Sequence, residues 1–258
     1  MASNVPAVTA AVRVLERLAA EWPDAMMPRS LIDELEMNRS TCYNILSTLQ
    51  SVGWVRSVGD RAGWTLGPRL LMLTGVSSTM ALRVIQDEIE ELSRRLGFVV
   101  FVAERDGSGG YVVVAKAERR LGIRVTVGVG DYFEFSAPAL MNAFYAWESQ
   151  KTFDAAAERY QIKAFTPNTL TEPDDLHAEL TSTRLRGYSV SLQQFDLAQG
   201  GVAAPAFDRH GEVSCIVATL AFASDLNYAN VAEVGELVAA CAANITRHLG
   251  GRYPDPVP

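Results

Sequence analysis

The sequence predicts an α+β chain: an N-terminal winged helix-turn-helix, a linking helix, and a C-terminal domain built on an antiparallel sheet. Three observations carry that prediction. Residues 28–66 read as two short helices about a tight turn, followed by a two-stranded ribbon. Apolar residues then keep helical spacing to about Leu96. From Phe98 the period shortens to that of strands, with two hairpin signals separated by helical segments.

Taken in order, Val8 to Glu21 reads as a helix with Val8, Val12, Leu15, Leu18 and Ala19 on one face, ended by Trp22-Pro23-Asp24. Asn38 is suited to cap a later helix, because its side-chain oxygen can accept an orphan amide proton. Behind it Ile45, Leu46, Leu49 and Val52 form the expected buried stripe. Arg39, Ser40, Thr41, Tyr43, Asn44 and Gln50 lie on other faces. Short polar groups near a helix N-terminus meet phosphates and base edges when that helix enters a major groove. Trp54-Val55-Arg56 and Trp64-Thr65-Leu66 read as ribbon strands about a turn at Gly59-Asp60-Arg61-Ala62-Gly63. Arg56, Arg61 and Arg69 stand where such a wing could touch a phosphate backbone. Double-stranded DNA is therefore the first partner to consider.

Residues 67–75 suggest a short connecting helix closed by Gly75. A second helix, from 76 to 97, carries Leu82, Ile85, Ile89 and Leu92 on one face and stops at Gly97. It suits a packed linker, a dimer contact, or both. Strand-like runs flank the turn Asp106–Gly110, and GIRVTVGVG (122–130) reads as a third strand. Helices follow at about 138–147, 151–160 and 173–186. A second hairpin turns at Asp208–Gly211, and a last helix runs from Asn230 to Leu249. The expected organisation is thus 1–75 as the reading head, 76–97 as the linker and 98–258 as the sheet domain.

Composition narrows the function classes. With 48% hydrophobic and 21% charged residues over 258 positions, the chain has enough apolar material for two cores. It holds no run of about 18 apolar residues and no secretory leader pattern. Three widely spaced cysteines, Cys42, Cys215 and Cys241, fit thiols in a reducing cytoplasm better than a disulfide framework. The net charge of −7 runs against nucleic-acid binding. Residues 1–75, however, hold seven arginines, no lysine and seven acidic residues, so the acidic excess lies entirely outside the head.

Enzyme signatures are missing: no phosphate-binding G-x-x-x-x-G-K-[ST], no G-x-S-x-G elbow, no zinc spacing among Cys and His. His177, His210 and His248 are scattered, and Cys215 and Cys241 sit in apolar contexts that suit buried, inert thiols. No catalytic residue, metal or cofactor is assigned.

The segments RSTCYNILSTLQSVGWV, RAGWTLGPRLLML, LRGYSVSLQQ and GGVAAPAFDRHGEV stand in an order and spacing that resembles the IclR family of bacterial transcriptional regulators, over essentially the whole chain. The resemblance implies a winged helix-turn-helix joined by a helix to a GAF-like effector-binding domain, and assembly as a homodimer or a dimer of dimers. It places Arg39, Ser40, Thr41 and Tyr43 on the DNA-facing side of the recognition helix. Asn44 stands where the family usually has arginine, which removes one phosphate or guanine contact.

The resemblance also implies an effector pocket, at Phe133, Ala139, Leu140, Ser191, Gly201, Ala218 and Leu220. Here the family's usual aspartate is Ser191, its cysteine Gly201, its strand serines Ala218 and Leu220, and a helix glycine Met141. So apolar a pocket would not offset desolvation of a small dicarboxylate or glyoxylate-like ligand. It suits a flatter, partly apolar molecule, an aromatic acid or related catabolite. Tyr132, Phe133, Phe135 and Phe195 are candidate walls. Ser136, Asn142, Ser191, Gln193 and Gln194 are candidates to orient polar ends. The expected function is an effector-responsive regulator of a catabolic operon, repressor favoured over activator. The rival is a small-molecule sensor working through protein contacts, its helix-turn-helix kept as a dimerisation scaffold.

Overall fold

The computed structural model describes residues 5–22, 24–58, 63–118 and 123–254, and over 71–80 the backbone alone. The chain divides into two compact units, residues 1–80 and 81–258.

The first unit contains α1 (Pro6–Ala20), α2 (Pro28–Glu34), α3 (Arg39–Ser51), β1 (Val55–Val58) and β2 (Gly63–Leu66). Its core gathers Val14 and Leu18 of α1, Leu31 of α2, Cys42, Leu46 and Leu49 of α3, and Val55 and Trp64 of the ribbon. The apolar face of α1 is rotated from the expected one, keeping Leu15 and Leu18 on the core and adding Val14. Val8 and Val12 are exposed, and Val14 and Leu18 are fully buried. Two overlapping apolar stripes run along this helix, and the core takes the one through Val14. Val52, expected to be buried, is exposed as the residue that ends α3. Asn38 caps α3, its Oδ1 accepting the Thr41 N–H at 2.8 Å, a contribution of about 0.5–2 kcal/mol. The ribbon pairs Val55 with Leu66 and Val58 with Gly63, and Met26 adds a bridge to Trp64. Residues 59–62 of the expected turn, and Pro23 in the expected stop after α1, lie outside the described residues.

The short helix expected at 67–75 and the helix expected at 76–97 form one element, α4 (Arg69–Leu96), which passes Gly75 without a break. A single glycine inside a helix costs only about 1 kcal/mol, too little to end one. The second unit begins within α4. Its six-stranded sheet has the order β5-β4-β3-β8-β7-β6. The strands are β3 (Val99–Arg105), β4 (Tyr111–Ala117), β5 (Tyr132–Phe133), β6 (Ser189–Leu192), β7 (Gln199–Phe207) and β8 (Val213–Phe222). All pairings are antiparallel.

Alternation sorts the strands onto two faces. One face, with Val100, Val102, Val202 and Val217, packs against Ile85, Ile89 and Leu92 of α4 and Val238, Ala242 and Ile245 of α8 (Val231–His248). Leu82, expected on that stripe, is exposed. The other face, with Phe101, Ala103, Tyr111, Ala203 and Ala218, packs under α5 (Pro138–Tyr145). Beyond α5 lie α6 (Gln150–Tyr160) and α7 (Pro173–Arg186), with Phe153, Leu176 and Leu180 in a satellite core.

Residues 123–130, most of the expected third strand, are not a strand. The glycine-rich segment turns instead. Gly130 adopts φ +91°, and the Gly128 N–H donates to the Asp131 carboxylate at 2.6 Å. The pairing partner of β4 is the two-residue β5. Strand β6, for which the sequence offers only four alternating residues, closes the other edge.

Candidate functional site

Two surfaces qualify, one in each unit. In the first, Arg39, Ser40, Tyr43 and Asn44 are exposed on α3, and Thr41 is half-buried. The Arg39 guanidinium lies over the Tyr43 ring at 5.6 Å, one helical turn on, which orders a long side chain before anything binds it. The Ser40 hydroxyl donates to Asn38 Oδ1 at 2.9 Å, so part of its capacity goes to the cap. Arg56 is exposed on β1 and Arg69 at the start of α4. Arg61 lies outside the described residues.

Ion pairing explains how a neutral head can present a positive face. Arg17 bonds both Glu21 and Glu34, and Arg29 pairs with Asp33, all on α1 and α2. Arg39, Arg56 and Arg69 make no ion pair among the described residues. Three carboxylates near α1 and α2 are thus engaged, and Arg39 on α3, Arg56 on the ribbon and Arg69 at the start of α4 keep exposed guanidiniums, as does Arg13 on α1.

In the second unit a narrow cleft opens between the sheet and the start of α5. All seven positions assigned by resemblance line it: Phe133, Ala139, Leu140, Ser191, Gly201, Ala218 and Leu220. Register explains their convergence. Ser191 pairs with Gly201 and Gly201 with Leu220, in one row across β6, β7 and β8. Ala218 sits two residues from Leu220, on the same face, opposite Phe101. The start of α5 is tied down by Ser189, whose hydroxyl donates to the Ala139 carbonyl at 2.6 Å.

Three aromatic rings wall the cleft. Phe101 stacks on Phe133 with centroids 5.8 Å apart, and Phe195 tilts against Phe133 at 5.9 Å. The lining contains no ionisable side chain. Its polar groups are Ser191, Gln199, Thr219 and backbone. Thr219 is spent on the Val99 carbonyl at 2.7 Å. The α5 N-terminus has no side-chain cap, and Pro138 occupies its first turn. The first amides of the helix therefore lack an intrahelical partner and form a weakly positive pole.

Several expected residues fall elsewhere. Tyr132 is half exposed, its hydroxyl 3.0 Å from Ser108 at the hairpin turn. Its neighbour Phe133 takes the inward position, because successive strand residues face opposite ways. Ser136 is buried in the turn before α5 and does not line the cleft, and neither does Gln193, whose Nε2 donates to the Leu197 carbonyl at 2.8 Å. Phe135 packs with Tyr145 and Tyr160 on the far side of α5, and Asn142 is buried in that helix. Sequence reasoning missed Phe101, Gln199 and Thr219. Register was the signal that could have found the first, since Phe101 faces Ala218 across β3 and β8.

Among the described residues no group of three or more metal-binding side chains comes together. Burial pushes the Cys215 and Cys241 thiols up to about 12, and burial first of all holds the Tyr145 phenol at about 12 as well. All three cysteines are buried and free. Among the described residues no helix is long and apolar enough to cross a membrane.

A winged head with a free cationic face, joined in one chain to a sheet domain with an uncharged cleft, defines a ligand-responsive DNA-binding regulator. The chain belongs to the IclR family: the family's helix-turn-helix domain matches residues 7–59 and its bacterial transcriptional regulator C-terminal domain matches residues 74–247. It is therefore a transcriptional regulator and not an enzyme. It is 26% identical to the transcriptional repressor IclR of Escherichia coli K12 over 251 residues, covering 96% of this chain and 91% of the relative. Identity to the acetate operon repressor of Salmonella typhimurium is 25% with the same coverage. The crystal structure of the Agobacterium tumefaciens repressor BlcR superposes with a TM-score of 0.67 at 20% identity, covering 97% of this chain and all of that one, and shares the fold.

Proposed function

We propose that this regulator represses a catabolic operon and is controlled by an aromatic carboxylic acid bound in the cleft of its second unit. The observation that carries the proposal is the lining: three phenylalanine rings, no ionisable side chain, and an uncapped helix start. A flat ring fits between apolar walls whose desolvation is favourable, and the free amides at the start of α5 offer a carboxylate its hydrogen bonds. A small, fully polar acid would lose its hydration here without enough partners to replace it.

In this reading residues 1–75 read double-stranded DNA. Arg39, Tyr43 and Asn44 face the major groove, with Ser40 and Thr41 at the helix start, while Arg56 and Arg61 of the wing, with Arg69 beyond it, hold phosphates. Residues 76–97 link the head to an effector domain at 98–258. The protein acts as a homodimer or a dimer of dimers in the cytoplasm, where its operator lies. The apolar residues Val8 and Val12, exposed on α1, and Val5 just before it support pairing between heads. A ligand that favours one arrangement of the pair shifts operator affinity by linkage, and a coupling of about 1–3 kcal/mol suffices. The names of the Escherichia coli and Salmonella relatives support the sign of regulation.

The test is a gel shift of the purified chain and of Arg39→Ala on its own upstream DNA, with panels of aromatic and aliphatic acids. The expected result is a shift that one aromatic acid releases and that Arg39→Ala loses. Release by glyoxylate or pyruvate, with no response to aromatic acids, would overturn the ligand assignment. An undiminished shift with Arg39→Ala would overturn the assignment of the reading helix.

A further inference from the structure

The β6–β7 connection, residues 193–198, brings Phe195 onto the lining of the cleft. Its path is held from outside the sheet. The Thr166 hydroxyl donates to the Gln193 carbonyl at 2.7 Å, and the Thr169 hydroxyl donates to the Gln194 carbonyl at 2.6 Å. Both threonines belong to the α6–α7 connection. Thr169 Oγ1 also accepts the N–H groups of Phe165 and Thr166, at 3.0 and 2.9 Å, so its hydroxyl is aimed by its own loop. Phe165 then packs against the outer side of Phe195, centroids 4.8 Å apart, while Phe133 meets Phe195 at 5.9 Å. Lys163 sits over Phe165 and bonds both carboxylate oxygens of Glu134, the residue after Phe133.

The covered arrangement also carries opposing terms. Gln193 adopts φ +58°, a left-handed conformation disfavoured for a residue with a side chain. Gln194 Oε1 is buried with no hydrogen-bond partner. The two hydroxyl bonds and the ring contact therefore hold in place a segment that its own backbone and side chains do not favour.

We infer that Thr166 and Thr169 are positioning residues for the effector site: they fix Phe195 as a lid whose release admits and frees the ligand. The inference rests on the reading of the cleft as that site. Neither threonine lines the cleft, so each acts through the 193–198 segment and through Phe165, which its loop sets against Phe195.

A ligand-free measurement tests it on the full-length chain. Ala218→Cys places a thiol in the lining at a position only 2% exposed, against a background of three buried native thiols. Its rate of labelling by N-ethylmaleimide reports how often the mouth opens. Removing both hydroxyls in Thr166→Val/Thr169→Val is expected to raise that rate about tenfold or more, since both main bonds to the 193–198 segment are lost together with those inside the threonines' own loop. Adding Phe195→Ala should then raise it no further. Thr169→Ser, which keeps the hydroxyl, should label as slowly as the parent, and it serves as the reference if the double variant folds poorly. Unchanged labelling on loss of the hydroxyls would overturn the inference, as would parallel acceleration at Cys215 and Cys241, which would mean general loosening. Binding of 4-hydroxybenzoate, followed separately in the same variants, keeps the two readings apart. Fast labelling without benzoate binding leaves the lid and removes the aromatic acid. Benzoate binding with unchanged labelling does the reverse.

Discussion

Gly201 shows how tightly the cleft is built. A β-carbon placed there would lie 2.9 Å from Leu220 Cδ2 and 3.9 Å from the Ala139 β-carbon, so Leu220 occupies the space a side chain at 201 would need. Gly201→Ala should cost about 1 kcal/mol of stability, at the low end for overpacking because Leu220 can rotate. Because Leu220 lines the cleft, the rotation is expected to narrow it. The same substitution should therefore weaken binding of an aromatic acid about tenfold, roughly the 1.4 kcal/mol equivalent, and Leu220→Ala in that background should restore it. Urea unfolding and ligand titration of the single and double variants check both parts. Equal affinity in Gly201→Ala and parent would show that the ligand does not reach this row. At this scale the sequence was legible where a residue's place follows from aligned motif positions, as for Ser191, Gly201 and Leu220. It was not legible where one residue of register decides which way a side chain points. Tyr132 and Phe133 are adjacent aromatics, and only the pairing of Tyr111 with Phe133 reveals which one faces the cleft.

Between elements, the edge of the sheet beyond β4, paired there by the two-residue β5, is fastened by charge as well. The Glu118 carboxyl is held down at about 2, first by the Thr126 hydroxyl and then by Lys116 and Arg124. Lys116 Nζ also donates to the Val127 carbonyl at 2.8 Å, tying β4 to the segment misread as a strand. A carboxyl whose pKa is lower in the folded chain adds stability that is complete above its ordinary value, near 4.5, and is lost as pH falls towards 2. Glu118→Gln should therefore lower the urea midpoint at pH 7, with a gap to the parent that narrows between pH 4.5 and 3. A gap constant with pH would mean that the carboxylate is not held. Hairpins and long helices could be read from period and turn residues, because those signals are local. The buried face of α1 could not, since two stripes of similar apolarity compete and only tertiary packing selects the one through Val14. The run 122–130 alternates like a strand, yet its glycines favour a turn once β5 has taken the pairing edge of β4.

For the molecule as a whole, net charge is a poor guide to its partner and charge distribution a better one. The chain carries −7, and its first 75 residues are neutral. Pairing of Arg17 and Arg29 with α1 and α2 carboxylates leaves Arg39, Arg56 and Arg69 unpaired among the described residues. If each copy in an operator-bound dimer sets Arg56, Arg61 and Arg69 against phosphates, about six counterions are released. The slope of log affinity against log salt should then be roughly −5, from about −0.9 per contact. Arg69→Ala removes one contact per copy and should make the slope shallower by about 2, with little change in preference among operator sequences, because a phosphate contact carries no base information. Arg39→Ala, on the helix that faces the groove, should both weaken binding and relax sequence preference. Fluorescence anisotropy across a salt series, on operator and scrambled duplexes, separates these outcomes. A slope near zero for the parent would mean that affinity comes from elsewhere than the cationic face, and would return the head to the role of a pairing scaffold.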